Sequence, residues 1–175
     1  MSGDPRVQLC KLNLGTYYST PHLYPMFKDL VKLSKCYGSN LKTEPLSSLV
    51  ARLVPSGSGA NKEPSGFVFH ESRVGSTLIA NMLGSDPRSL VFSESPPPMK
   101  ALLHSKGSRE KRNKLFRDVL MVMSASPIHE HVFFKFQSIS NTAIDIALEV
   151  RSKCFHLKSE AGEHKINNRF SFFPY

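Results

Sequence analysis

The sequence predicts an α/β fold built on a parallel sheet. Three observations carry that expectation. Apolar runs rich in aromatic and β-branched residues recur at Gly66-Phe67-Val68-Phe69, Leu90-Val91-Phe92 and Val132-Phe133-Phe134. Segments with apolar residues three and four apart separate them, as helices require. Short polar turns join the two kinds of segment, giving strand–helix–strand–helix–strand–helix.

Size and composition agree. At 175 residues the chain forms one domain with an accessory segment, and a chain of this length buries roughly two thirds of its unfolded surface. Apolar residues make up 40% and charged residues 21%, a globular rather than a disordered balance. The formal charge of +9 suits an anionic ligand such as a nucleotide, an acidic peptide or a glycan, and equally a basic surface that only aids solubility. Cys10, Cys36 and Cys154 are scattered and form no C-x-x-C pair, so neither a zinc site nor a disulfide framework is implied. The odd count, with no apolar leader and no run long enough to span a membrane, favours a reducing, cytoplasmic location.

In residues 1–60, Met26, Phe27, Leu30 and Val31 are spaced for a short amphipathic helix that Gly38 would stop. Leu46, Leu49, Val50 and Leu53 make a better helix face, with Pro45 near its start, where proline is tolerated. Pro55-Ser-Gly-Ser-Gly-Ala60 reads as a flexible linker. These residues are expected to pack on the core as an accessory element.

Residues 64–83 organise the rest: a buried strand, a polar loop at Glu71-Ser72-Arg73-Val74-Gly75, and a helix opened by Ser76 and Thr77. Leu78, Ile79, Met82 and Leu83 fall on one side of that helix and are expected to face the core. A loop between a strand and a helix start leaves backbone N–H groups pointing one way, at the positive end of the helix dipole, which suits a phosphate. Gly75 would let the backbone approach the anion, Arg73 adds fixed charge, and Ser76 and Thr77 offer hydroxyls. The loop is no Walker A, since that motif requires lysine where Ser76 stands. The plainer reading is a strand-to-helix turn with Ser76 as the cap.

Asp86-Pro87-Arg88 then turns the chain into the second strand, which ends at Ser93-Glu94-Ser95. Pro96-Pro97-Pro98 is expected to stop that strand, with a helix over 99–105. Gly107 and the run Arg109-Glu110-Lys111-Arg112 lead into a helix with Phe116, Val119, Leu120 and Met123 on its apolar face and Pro127 beyond its end. The charged run reads as a solvated helix start, with nucleic-acid contact the lesser alternative. Lys135 closes the third strand, and 143–150 forms a last helix carrying Ile144 and Leu148.

Ligands of parallel sheets bind at the carboxyl ends of the strands. That rule gathers Arg73, Glu94 and Lys135 from three strands at one rim. A carboxylate there can take a hydroxyl proton, and two cations can stabilise charge on a transferred group and its leaving phosphate. The alternatives are a surface carboxylate at Glu94 and a snorkelling strand-end lysine at Lys135.

The stretch FVFHESRVGSTLIANMLGSDPRSLVFSES resembles the start of the sulfotransferase family, whose loop for the 5′-phosphosulfate runs basic–x–Gly–Ser/Thr–Ser/Thr. The arginine form is closer to the tyrosylprotein and carbohydrate branch. The resemblance implies a three-layer P-loop-type parallel sheet with flanking helices and 3′-phosphoadenosine 5′-phosphosulfate (PAPS) as co-substrate. It implies a hydroxyl acceptor that the sequence does not name, and no metal. It places the cofactor loop at Ser72, Arg73, Val74, Gly75, Ser76 and Thr77. Glu94, 21 residues after Arg73, matches the catalytic glutamate, and Lys135 the lysine of the following strand.

The resemblance covers about residues 64–155. The family's Arg-Asp-Pro or Arg-Asn-Pro element, which helps hold the 3′-phosphate, is absent. Residues 156–175 read as a divergent polar tail, so the domain is expected to be incomplete, with an exposed sheet edge and feeble transfer. A divergent P-loop kinase or NTPase remains the alternative, although no aspartate ends the second or third strand. A non-catalytic truncated form is the other.

Overall fold

The protein is described from a computed structural model covering residues 4–20, 23–24, 26–36, 41–53, 63–104, 106–150 and 154–157. The linker at 55–60, Gly38 and the chain beyond 157 lie outside the described residues.

A four-stranded parallel sheet forms the centre. Its strands are β3 (Gly66–His70), β4 (Ser89–Ser93), β5 (His131–Lys135) and β6 (Cys154–Leu157), in the order β4-β5-β3-β6. The sequence did not foresee a strand beyond β5: β6 pairs with β3, so β3 has a neighbour on each side. Residues 154–157, assigned from sequence to the end of the domain and the start of a polar tail, extend far enough to satisfy one edge of β3.

Every residue of β3 and β4 is buried, as strands covered on both faces must be. Phe92, Phe134 and Phe67 stand in register across three strands. Their rings pack edge to face or stacked, and Phe116 of helix α6 (Arg109–Ser124) lies 6.0 Å from Phe67. Val91 points to the opposite face, toward Gly84 of helix α4 (Ser76–Gly84). Helices therefore flank the sheet on both sides. In α6, Phe116, Val119 and Leu120 supply the buried stripe, and Ser108 caps the start by accepting from the Lys111 N–H.

The N-terminal third packs on this body. A short antiparallel ribbon, β1 (Arg6–Gln8) with β2 (Thr43–Pro45), and helix α1 (Leu14–Ser19) were not foreseen. Helices α2 (Phe27–Leu33) and α3 (Leu46–Leu53) fall where the spacing placed them. Leu46 joins the main core cluster and α3 packs on α6. Phe27 meets Phe92 edge to face, and Ser93 Oγ reaches Met26 Sδ at 3.5 Å, so the β4 edge is covered. Tyr18 shares a hydrogen bond with His129, whose other nitrogen bonds Ser126 Oγ at 2.5 Å. Burial holds His129 below the usual imidazole range.

Cys10 and Cys36 form a disulfide with Cα atoms 5.7 Å apart, joining the irregular segment after β1 to the chain just beyond α2. The spacing of the three cysteines implied no disulfide framework, and the fold nevertheless brings two of them together. Disulfides are rare in reducing compartments, so the cysteine argument for a cytoplasmic location falls with it. Among the described residues no helix is long and apolar enough to cross a membrane.

Three helix expectations need correction. Leu78 and Met82 of α4 are 64% and 66% exposed, while Ser76, Ala80 and Gly84 are buried. The small residues face inward because they let the helix approach the sheet closely. The triple proline does not precede a helix but opens one, α5 (Pro96–Leu102). The first turn needs no N–H donors, so proline fits there. In α7 (Ile144–Val150), which follows a 3-10 turn at Ser138–Ala143, Ile146 and Ala147 are buried, Ile144 packs partly on the core, and Leu148 is exposed.

The close approach of α4 is testable. A methyl group on Gly84 would lie 2.8 Å from Tyr17 Oη and 3.7 Å from Val91 Cγ2. Gly84→Ala is expected to cost about 1–3 kcal/mol by overpacking. Adding Tyr17→Phe, which removes the nearest atom, should recover most of it in urea unfolding; equal losses in the single and double variants would refute this contact.

Candidate functional site

The candidate site is a cleft of about 560 Å³ at the carboxyl ends of the central strands. Its lining is His70 from the end of β3, Ser72 and Arg73 from the following loop, Glu94 from the end of β4, and Gln137, Ser138 and Ile139 after β5. The position follows from topology. From β3 the chain crosses to the far edge strand β4 and returns through β5, while β6 lies on the other side of β3. The loop after β3 therefore sits where the strand order reverses, the crevice in which such sheets hold ligands.

The loop runs from the end of β3 to the start of α4. Arg73 and Gly75 are left-handed, with φ of 61° and 77°. Gly75, rather than Ser76, is the N-cap of α4, and its carbonyl accepts from the N–H groups of Leu78 and Ile79. The N–H groups of Ser76 and Thr77 have no acceptor within the helix. Beyond its own chain neighbours, a Cβ placed on Gly75 would meet no atom of a described residue within 4 Å, so the space over the loop is open among the described residues. Ser76 is buried, Thr77 half-buried, and the Arg73 side chain exposed, with no ion pair or hydrogen bond to any described residue. Ser72 Oγ donates to Ser138 Oγ at 3.4 Å and ties the loop to the opposite wall.

Glu94 is held from three directions. Its backbone is left-handed at φ 54°, a conformation costly without glycine, and its N–H donates to the Lys135 carbonyl at 2.7 Å. Lys135 Nζ donates to Oε1, and Gln137 Nε2 to Oε2 at 3.3 Å. Lys135 itself is buried, its side chain 1% exposed, in register with Val68 and Ser93 in the sheet. Of the three rim residues expected, Arg73 and Glu94 line one cleft. Lys135 does not line it but lies beneath, as the counter-ion that orients the carboxylate, and is not a snorkelling surface lysine. Each carboxylate oxygen retains a further lone pair for a ligand.

His70 was missed. Its Nδ1 lies 2.7 Å from the Glu71 carbonyl, and since a carbonyl can only accept, Nδ1 carries the proton. In the neutral ring Nε2 then bears a lone pair. That atom is buried and has no hydrogen-bond partner among the described residues. Leaving such an atom unpaired costs about 1–3 kcal/mol. The His70 carbonyl accepts from Asn141 Nδ2 at 3.1 Å, so the residue is pinned at backbone and ring. The one sequence signal was a polar ring closing an otherwise apolar strand.

The described arrangement can hold an anion over the loop and offers a fixed carboxylate beside it. No protein-family model, curated protein or solved structure matches the chain.

Proposed function

We propose that this chain is a sulfotransferase-like protein whose cleft takes the phosphosulfate end of PAPS and a hydroxyl acceptor. The observation that carries the reading is that Arg73 and Glu94, from loops after two different strands, line one cleft beside the open first turn of α4. PAPS fits the donors present: its 5′ phosphate would accept from the N–H groups around Gly75 and Ser76, with Arg73 supplying countercharge.

In the proposed transfer the acceptor oxygen forms a bond to sulfur as the bond from sulfur to the phosphate oxygen breaks. Glu94 takes the hydroxyl proton, and adenosine 3′,5′-bisphosphate carries away the electron pair of the broken bond. Lys135 holds the carboxylate in place, and Arg73 offsets charge growing on the leaving phosphate. With no Arg-Asp-Pro element in the sequence, the grip on the 3′-phosphate is expected to be weak and transfer slow. Dipole and loop contacts at one phosphate contribute only about 0.3–1 kcal/mol each when exposed.

Titration of the full chain with adenosine 3′,5′-bisphosphate and with ATP, followed by a radiolabelled sulfate-transfer assay on tyrosine peptides and glycans, tests the reading. Weak bisphosphate binding with slow or no transfer is expected. Binding and hydrolysis of ATP without bisphosphate binding would instead make it a divergent NTPase, and binding of neither would leave a non-catalytic protein.

A further inference from the structure

We propose that His70 is an acceptor-binding residue: its Nε2 receives a hydrogen bond from a neutral O–H of the incoming acceptor and so positions that molecule opposite Glu94. The inference rests on the sulfotransferase-like reading of the cleft. The ring lines the same cleft as Glu94 and Arg73 and is 8% exposed. Nδ1 is committed to the Glu71 carbonyl, which fixes Nε2 as the acceptor face of a neutral imidazole. Nε2 has no hydrogen-bond partner among the described residues. Buried polar atoms are almost always paired, and one without a partner on a residue that lines a cleft is a natural contact for a molecule bound there. Only a donor completes it. An anion such as phosphosulfate offers none, so the partner is the other reactant, the hydroxyl compound.

The surroundings favour a placed, rather than adaptable, contact. Asn141 holds the His70 carbonyl and the Glu71 carbonyl holds the ring. The Ser72 to Ser138 bond bridges the cleft beside it. A rigid single acceptor selects for a donor at one position and rejects the isostere lacking it.

The test is nitrogen NMR on the full chain labelled with 15N-histidine and on the backbone, using p-cresol as a phenolic probe and methyl β-galactoside as a sugar probe. The control is 4-methylanisole, which keeps the shape of p-cresol and lacks the donor. One or both hydroxyl probes should move the Nε2 resonance of His70, and which one does identifies the acceptor class; the anisole should not. His70→Phe should weaken binding of the responding probe about tenfold, and His70→Gln, which keeps an acceptor oxygen, should restore most of it. An Nε2 resonance unmoved by both hydroxyl probes, or moved equally by the anisole, overturns the proposal without needing a variant that folds. Bisphosphate titration of the same sample separates the two readings. If it moves the amides of Ser76 and Thr77 while neither probe reaches His70, the His70 assignment alone fails. If a probe reaches His70 and bisphosphate leaves the loop unmoved, the sulfotransferase-like reading fails and the His70 contact stands.

Discussion

Gly75→Val is expected to abolish adenosine 3′,5′-bisphosphate binding and to cost about 1–3 kcal/mol of stability, with helix content close to that of the native chain. The two effects have separate causes. Gly75 sits at φ 77°, where a β-branched residue is strained whatever the space around it. The strain sets the stability loss. Apart from Gly75 and its chain neighbours, no described residue has an atom within 4 Å of the position a Cβ would take, so the valine side chain enters the space over the loop where the anion is proposed to sit. Gly75→Ala should carry a similar backbone cost with a smaller intrusion and retain part of the affinity. Urea unfolding with calorimetric titration reads both quantities. Unchanged bisphosphate affinity in the valine variant would remove the loop from the site.

The second large effect concerns the Glu94–Lys135 pair. Glu94→Ala leaves the Lys135 ammonium buried without a counter-ion, its side chain only 1% exposed. Breaking a buried pair from one side costs about 3–5 kcal/mol. Glu94→Gln keeps an oxygen that accepts from Lys135 and should lose less. It is the informative variant for chemistry: bisphosphate binding should persist and any sulfate transfer should vanish. Adding Lys135→Met to Glu94→Ala removes the stranded charge and should recover most of the stability. If the double variant is no more stable than Glu94→Ala, the pair is not the source of the loss. If Glu94→Gln transfers sulfate at the native rate, the carboxylate is not the base.

The α/β class and the order of the central elements were legible in the sequence because they rest on local signals. Strands β3, β4 and β5 showed as short aromatic and β-branched runs, α3 and α6 as regular apolar spacings, and the loop as a break ending in glycine. The carboxyl-end rule brought Arg73 and Glu94 together before any coordinates, because it depends on strand direction and not on side-chain packing.

Tertiary structure decided the rest. The apolar spacing of Leu78 and Met82 identified a helix but not its buried side. Gly84 and Ala80 face the sheet because close approach needs small residues there, a constraint set by Tyr17 and Val91 from distant parts of the chain. Cys10 and Cys36 are 26 residues apart in sequence, and only the tertiary fold brings the segment after β1 and the end of the α2 region within bridging distance. The fourth strand was hidden because a backbone edge on β3 recruits residues 154–157 through hydrogen bonds that composition does not encode. The sequence placed Lys135 at a strand end and passed over His70. Whether each side chain turns inward to pair with Glu94, or is left with an open lone pair at the cleft wall, depends on which groups the other strands bring to it.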